Sequence, residues 1–231
     1  RKTEPIRFPF LGLVNNPDFT QIHYLPSIGW NYYDKTLVGV SLYDAILPPD
    51  RFDYYLAPLY STGKKQFSGI GEMALNLYPG EVVRKIHLET SGKRFAYAEE
   101  HRHPFEQMQV GAVFTLKKPE PKSRVKNTIG YSTIYASDIE EILNNRNDAD
   151  HKFYHRLSLN HDHSKKSINP YSIGAHLEYG GNFLKTWLEA CYEYSYYMNE
   201  GLNIRLFGGT FLYRERDLPW PYAFHLSGSN G

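Results

Sequence analysis

The sequence has little with which to do chemistry. Its single cysteine, Cys191, excludes an intrachain disulfide and a thiolate metal cluster. No apolar run approaches the roughly 18 residues of a transmembrane helix. The first residues, Arg1-Lys2-Thr3-Glu4-Pro5, are not followed by the apolar core of a signal peptide, as expected of a mature or internal segment. Charge of one sign is also missing. Lys plus Arg number 26 against 25 for Asp plus Glu, so a net charge of +1 gives no reason to expect a nucleic acid as partner. No His-Glu-x-x-His motif, nucleophile elbow or phosphate loop occurs. Gly69-Ile70-Gly71, Gly180-Gly181 and Gly208-Gly209 stand in or beside strand patterns rather than before a helix.

What is abundant is aromatic. The 20 Tyr, 13 Phe and 3 Trp make up 16% of 231 residues in a chain that is polar on average. Apolar side chains diluted by alternation produce that combination, and period two runs from about residue 36 to 213. In Gln107 to Lys117, Met108, Val110, Ala112, Phe114 and Leu116 alternate with Gln107, Gln109, Gly111, Val113, Thr115 and Lys117. In Trp187 to Tyr196, Leu188, Ala190, Tyr192, Tyr194 and Tyr196 alternate with Glu189, Cys191, Glu193 and Ser195. Weaker versions set Met73, Leu75 and Leu77 against Glu72, Ala74 and Asn76. They also set Leu157 and Leu159 against Arg156 and Asn160, and Ile173, Leu177 and Tyr179 against His176 and Glu178. Val38, Val40 and Leu42 share a face, and 52–60, 82–90, 126–136 and 203–213 are further strand candidates. Leu47-Pro48-Pro49-Asp50, Tyr78-Pro79-Gly80, Asn169-Pro170 and Asn199-Glu200-Gly201 separate these runs as turns. Residues 1–20 read as a leading segment and 137–150 as a long loop compatible with a helical turn or two, in one domain spanning 1–231.

Roughly ten to twelve strands in one sheet close into a barrel or split into a sandwich. A ten-residue strand rises about 33 Å and, tilted by about 40°, covers about 25 Å, the apolar band of an outer-membrane barrel. The expected fold is therefore all-β, an antiparallel up-and-down transmembrane β-barrel, whole or in part. Alternation alone leaves open which face is outside, since a soluble lipocalin-like barrel binding a hydrophobic ligand alternates as well. Two features favour the membrane. The polar face carries Glu72, Arg156, Glu178, Glu189 and Glu193, which suit a hydrated lumen, and the aromatics gather toward strand ends as in a headgroup girdle. On that reading Met108, Val110, Phe114, Leu116, Leu188, Tyr192, Tyr194 and Tyr196 face lipid. Tyr154 and Arg156 are bulky enough to argue for a filled interior over a small porin-like channel.

Histidine spacings need a separate weighing. His161-Asp162-His163 and His101-Arg102-His103 put two imidazoles on one face of a strand, and His151 and His155 lie four apart. Both i, i+2 pairs fall at strand ends or in loops, and no third ligand is identifiable, so neither metal nor cofactor is expected. Cys191 sits beside Glu189 and Glu193, whose charge disfavours a thiolate.

Gly29-Trp30-Asn31-Tyr32-Tyr33-Asp34-Lys35 through Gly39 resembles a G-x-N-x-Y-D-K-x-x-x-G signature in the C-terminal regions of Bacteroidetes-type zinc aminopeptidase-like (gluzincin) proteins. Leu56-Ala57-Pro58-Leu59-Tyr60, Ser68-Gly69-Ile70-Gly71, Ile168-Asn169-Pro170-Tyr171, Leu202–Phe211 and Phe224–Gly228 continue the likeness in order. In that family a peptidase precedes a barrel similar to surface-antigen (BamA-like) barrels. The resemblance implies a bacterial outer-membrane location, with lipid and an attached peptidase or other outer-membrane or periplasmic subunits as partners. It implies an anchor or passage rather than an enzyme, because no position matches the zinc motif and no catalytic residue carries over.

Overall fold

A computed structural model describes residues 6–12, 19–44, 51–96, 104–118, 120, 122–137, 151–197 and 200–214. Among them every regular element is a strand: β1 (Ile6–Arg7), β2 (Thr20–Gln21), β3 (His23–Asn31), β4 (Lys35–Tyr43), β5 (Phe52–Ser61), β6 (Phe67–Leu77), β7 (Val83–Phe95), β8 (Phe105–Leu116), β9 (Lys126–Ser137), β10 (His151–Asp162), β11 (Tyr171–Gly180), β12 (Phe183–Tyr197) and β13 (Glu200–Arg214). Strands β3 to β13 form one sheet in sequence order, each hydrogen-bonded to its chain neighbours, while β1 and β2 make a separate parallel pair. The pairs β3–β4, β4–β5, β5–β6, β10–β11, β11–β12 and β12–β13 are all antiparallel. An up-and-down sheet of eleven strands is thus the architecture. Its two ends, β3 and β13, are not joined to each other, so the closed barrel expected from the sequence is not what these residues form.

By contact the chain divides into two compact units. One comprises Arg1–Leu77, His87–Val110 and Ile134–His151; the other comprises Tyr78–Ile86, Gly111–Thr133 and Lys152–Gly231.

In the first unit, β3 is a strand that period two does not announce, because Pro26 and Gly29 interrupt it. Pro26 is tolerated where the strand's outer edge needs no amide donor. The start of that edge is covered by the leading segment: Leu11 N–H donates to Tyr24 O (3.2 Å) and Tyr24 N–H to Pro9 O (3.3 Å). The β3–β4 connection is the three-residue loop Tyr32-Tyr33-Asp34 followed by Lys35 in the left-handed region at φ 59, as such hairpins require.

Asp34 is fully buried and ties this loop to its surroundings. Asn31 Oδ1 accepts from the amides of Tyr33 (3.0 Å) and Asp34 (2.6 Å), a side-chain-closed turn. The Asp34 carboxylate accepts from Asn31 Nδ2 (2.8 Å), Ala96 N–H (2.8 Å) and Ser68 Oγ (3.4 Å). Its carbonyl accepts from Ser61 Oγ (2.9 Å) and Gly63 N–H (3.0 Å). One residue therefore fastens the β3–β4 turn, the β5–β6 turn and the end of β7. Asp34→Ala leaves the carbonyl's bonds in place but orphans the three donors to the carboxylate, from Asn31, Ala96 and Ser68, each worth about 1–3 kcal/mol when buried. The expected loss in denaturant stability is at least about 3 kcal/mol, against less than about 0.5 kcal/mol for Thr62→Ala at the exposed rim of the same turn.

Gly69 explains another feature of this unit. It has φ +146, and a Cβ there would meet Ala57 O at 2.3 Å, so β5 and β6 approach closely only because no side chain stands between them. Gly69→Ala is expected to destabilise by about 1–3 kcal/mol, measurable as a lowered denaturant midpoint.

Candidate functional site

The most informative property is which face of each strand is covered. In β12 the odd positions Phe183, Lys185, Trp187, Glu189, Cys191, Glu193 and Ser195 are buried or half-buried, whereas Leu188, Tyr192, Tyr194 and Tyr196 are exposed. In β11 Gly174 and Glu178 are buried and Ile173, Leu177 and Tyr179 exposed; in β10 Tyr154 is buried and Phe153, Leu157 and Leu159 exposed. The first unit repeats this. Val38, Val40, Tyr60, Met73, Met108 and Val110 are exposed, while Ser41, Ser61, Ser68 and Asn76 are buried together with Leu37, Ala57 and Leu59. Polar side chains inside and apolar ones outside is the reverse of a water-soluble sheet. Leu188 is 61% exposed and Val110 52%, while Glu178 is only 4% exposed and Lys185 9%.

Of the residues expected on the lipid side, Met108, Val110, Leu188, Tyr192, Tyr194 and Tyr196 lie open, and Phe114 and Leu116 are half-buried. Many of the exposed aromatics stand near strand ends, although Tyr131 and Phe207 are exposed in the middle of β9 and β13. Phe52 opens β5 and Tyr60 nearly closes it, eight residues or about 26 Å of rise apart. In β12 Tyr192, Tyr194 and Tyr196 lie toward the C-terminal end of the strand.

The inward face of the second unit is built in cross-strand rows by antiparallel register. Arg156 pairs with Glu178 and Glu178 with Lys185 across β10, β11 and β12. Because facing residues on one side of a sheet are immediate neighbours, this register delivers two cations to one carboxylate. Lys185 Nζ lies 2.9 Å from Glu178 Oε1; Arg156 Nη2 and Nε lie 2.7 and 2.8 Å from Oε2. The next row stacks His176 on Trp187 at 4.7 Å and 10°. Arg156 and Lys185 approach the Trp187 ring at 5.9 and 5.7 Å, within cation–π range. On the other side of the ion row Tyr154 stacks on Phe183, and Gly180 makes room for both, since a Cβ there would meet Phe183 at 2.6 Å and Tyr154 at 2.9 Å. Glu189 binds Arg205 of β13 at 2.6 Å, with Cys191 Sγ 4.0 Å from the same carboxylate. Glu193 packs over Gly201.

Of the five residues expected in a lumen, Arg156 and Glu178 are brought together, and Glu189 and Glu193 share one face of β12. Glu72 belongs to the first unit, where it lines a cleft of about 660 Å³ with Asp53, His87, Glu89 and Gln109. There His87 bonds Asn76 (2.8 Å), and Asn76 bonds Asp53 (3.2 Å). Both oxygens of Glu178 are committed to cations, so this carboxylate is a fixed counter-ion.

Among the described residues the histidines do not converge. His155 lies between the rings of Tyr131 and Tyr179 and bonds the Tyr131 hydroxyl, while His161 bonds Asn127 and stacks on Tyr171. His163 packs edge-on against the same tyrosine. Residues 101–103 lie outside the described residues. Among the described residues no three His, Cys, Asp or Glu groups are placed to hold a metal ion.

No family model, curated protein or solved structure matches the chain.

Sequence reasoning missed Lys185, Arg205 and Trp187 as members of the inward face. Lys185 precedes the stretch in which alternation is clean, and Arg205 lies in a run whose two faces are both apolar in part. The available signal was the Gly180-Gly181-Asn182 turn, which fixes Lys185 opposite Glu178 once it is read as a tight hairpin.

Proposed function

We propose that this chain forms a transmembrane β-barrel, whole or in part, in a bacterial outer membrane, where it anchors or gives passage to an attached enzymatic or export module. The observation that carries this reading is the apolar side left exposed on strands from β3 to β12, over a covered side that holds polar groups such as Ser41, Ser61 and Asn76 in the first unit and the Arg156–Glu178–Lys185 ion row in the second. Exposed apolar surface of this extent demands a partner, and lipid satisfies it on every strand at once. Aromatic residues at both ends of β5 and at the end of β12 fit headgroup level. A lipocalin-like barrel binding a hydrophobic ligand would bury the same face, so the exposure argues against it.

The resemblance of the Gly29–Gly39 segment supports an attached zinc peptidase as the module, with other outer-membrane or periplasmic subunits as further partners. Between anchor and porin-like channel, the packing of Arg156, Glu178, Lys185, Trp187, Tyr154 and Phe183 on the inward face favours an obstructed interior. Membrane partition together with cold and boiled migration on SDS gels tests the reading. The expected result is a membrane-bound protein whose migration shifts on boiling; a soluble protein without a heat shift contradicts it. Planar-bilayer recording separates the two roles, with silence expected of an anchor and steady single-channel steps of a pore.

A further inference from the structure

Charge is nearly balanced over the whole chain, 26 cations against 25 acids, yet one end of the second unit is strongly positive. Two connections meet there, 117–125 between β8 and β9 and 163–170 between β10 and β11. Arg124 joins them, since its Nη1 donates to Lys165 O at 3.1 Å and to Ser167 Oγ. Lys118 Nζ donates to Ser123 O within the first connection. Among their described residues the two connections carry Lys117, Lys118, Lys122, Arg124, Lys165 and Lys166 against a single carboxylate, Glu120. All of these cations except Lys118 are exposed, and none is in an ion pair among the described residues. Neighbouring acids do not cancel the excess. Asp162, the last residue of β10, is balanced by Lys126, the first residue of β9, with Lys165 contributing. Glu81, just before β7, is outnumbered by Arg84 and Lys85 at its start. Glu193 and Glu200 belong to the β12–β13 hairpin, and Glu193 turns its side chain over Gly201 on the inward face.

Polarity is layered along the strands that lead to this end. On the outward side of β9, β10 and β11, Ile129, Leu159 and Ile173 are exposed. Two residues nearer the connections, Asn127, His161 and Tyr171 form a half-buried polar and aromatic row. In it His161 Nδ1 bonds Asn127 Oδ1 at 2.7 Å, and the imidazole stacks on Tyr171 at 5.7 Å. The cationic connections follow directly. Apolar, then amphipathic, then cationic is the order in which a bilayer changes from hydrocarbon through its interface to the phosphates.

We propose that this rim docks on the headgroups of anionic phospholipid, with the ammonium groups of Lys117, Lys122, Lys165 and Lys166 on the phosphates and β9 to β11 standing in the hydrocarbon. The inference rests on the outer-membrane reading. It adds the end at which these strands meet anionic headgroups and the residues that hold them. A lysine on its flexible stem is a point charge that follows a moving phosphate, which suits a lipid layer. Arg124 is a positioning residue, because its hydrogen bonds fasten the two lysine-bearing connections together. Charge alone suits an acidic polypeptide as well; the ordered layers beneath it favour lipid.

Electron spin resonance of the protein in phosphatidylcholine vesicles, with a trace of spin-labelled phosphatidylglycerol or phosphatidylcholine, tests the rim. Lipid held at the protein surface gives a motionally restricted signal. Phosphatidylglycerol is expected to be preferred about fivefold, the ratio that one lysine near an anionic headgroup supplies. In about 0.5 M salt the preference is expected to fall below about twofold, because exposed charges are then screened. Lys117→Gln combined with Lys122→Gln, Lys165→Gln and Lys166→Gln is expected to remove the preference while total restricted lipid stays unchanged. Boiling-dependent gel migration reports folding, and the pair Lys165→Gln with Lys166→Gln, expected to reduce the preference, serves where the fourfold variant does not fold. Equal restriction of both lipids by the parent protein, or an unchanged preference in the folded variant, overturns the lipid docking and leaves the membrane reading standing. A parent protein that is soluble and shows no heat shift instead removes the membrane reading on which the docking rests.

Discussion

Leu188→Arg is expected to impair folding into lipid vesicles severely, lowering stability by about 2–4 kcal/mol, the cost of an arginine near the midplane of a lipid-facing barrel surface. Leu188 is chosen because it is 61% exposed, lies mid-strand in β12, and has Leu206 and Ala175 rather than charges on its own face nearby. In water the same substitution replaces an exposed leucine by a charge and changes stability by less than about 0.5 kcal/mol while raising solubility. The two environments therefore predict opposite outcomes for one residue. A matched change at an exposed position near a strand end, Tyr196→Arg, is expected to cost only about 0–1 kcal/mol, because arginine there reaches headgroup level. Urea titration of vesicle-folded protein measures both. Equal effects at Leu188 and Tyr196 would argue against a depth-dependent lipid contact.

The second large effect lies on the opposite face. Glu178→Ala is expected to destabilise by about 3–5 kcal/mol, the range for breaking a buried ion pair from one side. Lys185, 9% exposed, is left facing Arg156 without the carboxylate that compensates both. Arg156 has 43% side-chain exposure and can turn to water, so most of the penalty falls on Lys185. The double substitution Glu178→Met with Lys185→Met removes both buried charges and is expected to recover at least about half of the loss. A double-mutant cycle on the unfolding midpoints gives the coupling directly. A Glu178→Ala protein within about 0.5 kcal/mol of the parent would mean that the row is hydrated and loosely held.

These two faces show how far the sequence could be read. The alternation of Met108 to Leu116 and of Leu188 to Tyr196 sets strand type and grouping almost residue by residue, and β8 and β12 contain both runs. Alternation is symmetric, however, and does not say which set is covered; that emerges only when the side chains of neighbouring strands shield each other. Strand β3 was illegible for a local reason, since Pro26 and Gly29 break its pattern, although Ile28 and Trp30 alternate on its exposed side. Pairing of Glu178 with Lys185 depends on hairpin register, which one residue of slip would destroy. The Asp34 hub was visible only as part of a motif. Its partners Ser68 and Ala96 are 34 and 62 residues away in sequence, and no local pattern announces such contacts. Closure of the sheet is a property of how β3 and β13 are completed, and periodicity does not report it.

The most direct test of the central claim is spin-label accessibility along β8 in lipid vesicles, after Cys191→Ser, with nitroxides placed singly at 107, 108, 109, 110 and 111. Labels at 108 and 110 are expected to collide preferentially with oxygen, which concentrates in the bilayer, and labels at 107, 109 and 111 with a polar relaxant or with neither. Preferential contact of 108 and 110 with the polar relaxant, or loss of the two-residue period, would contradict a lipid-facing apolar surface.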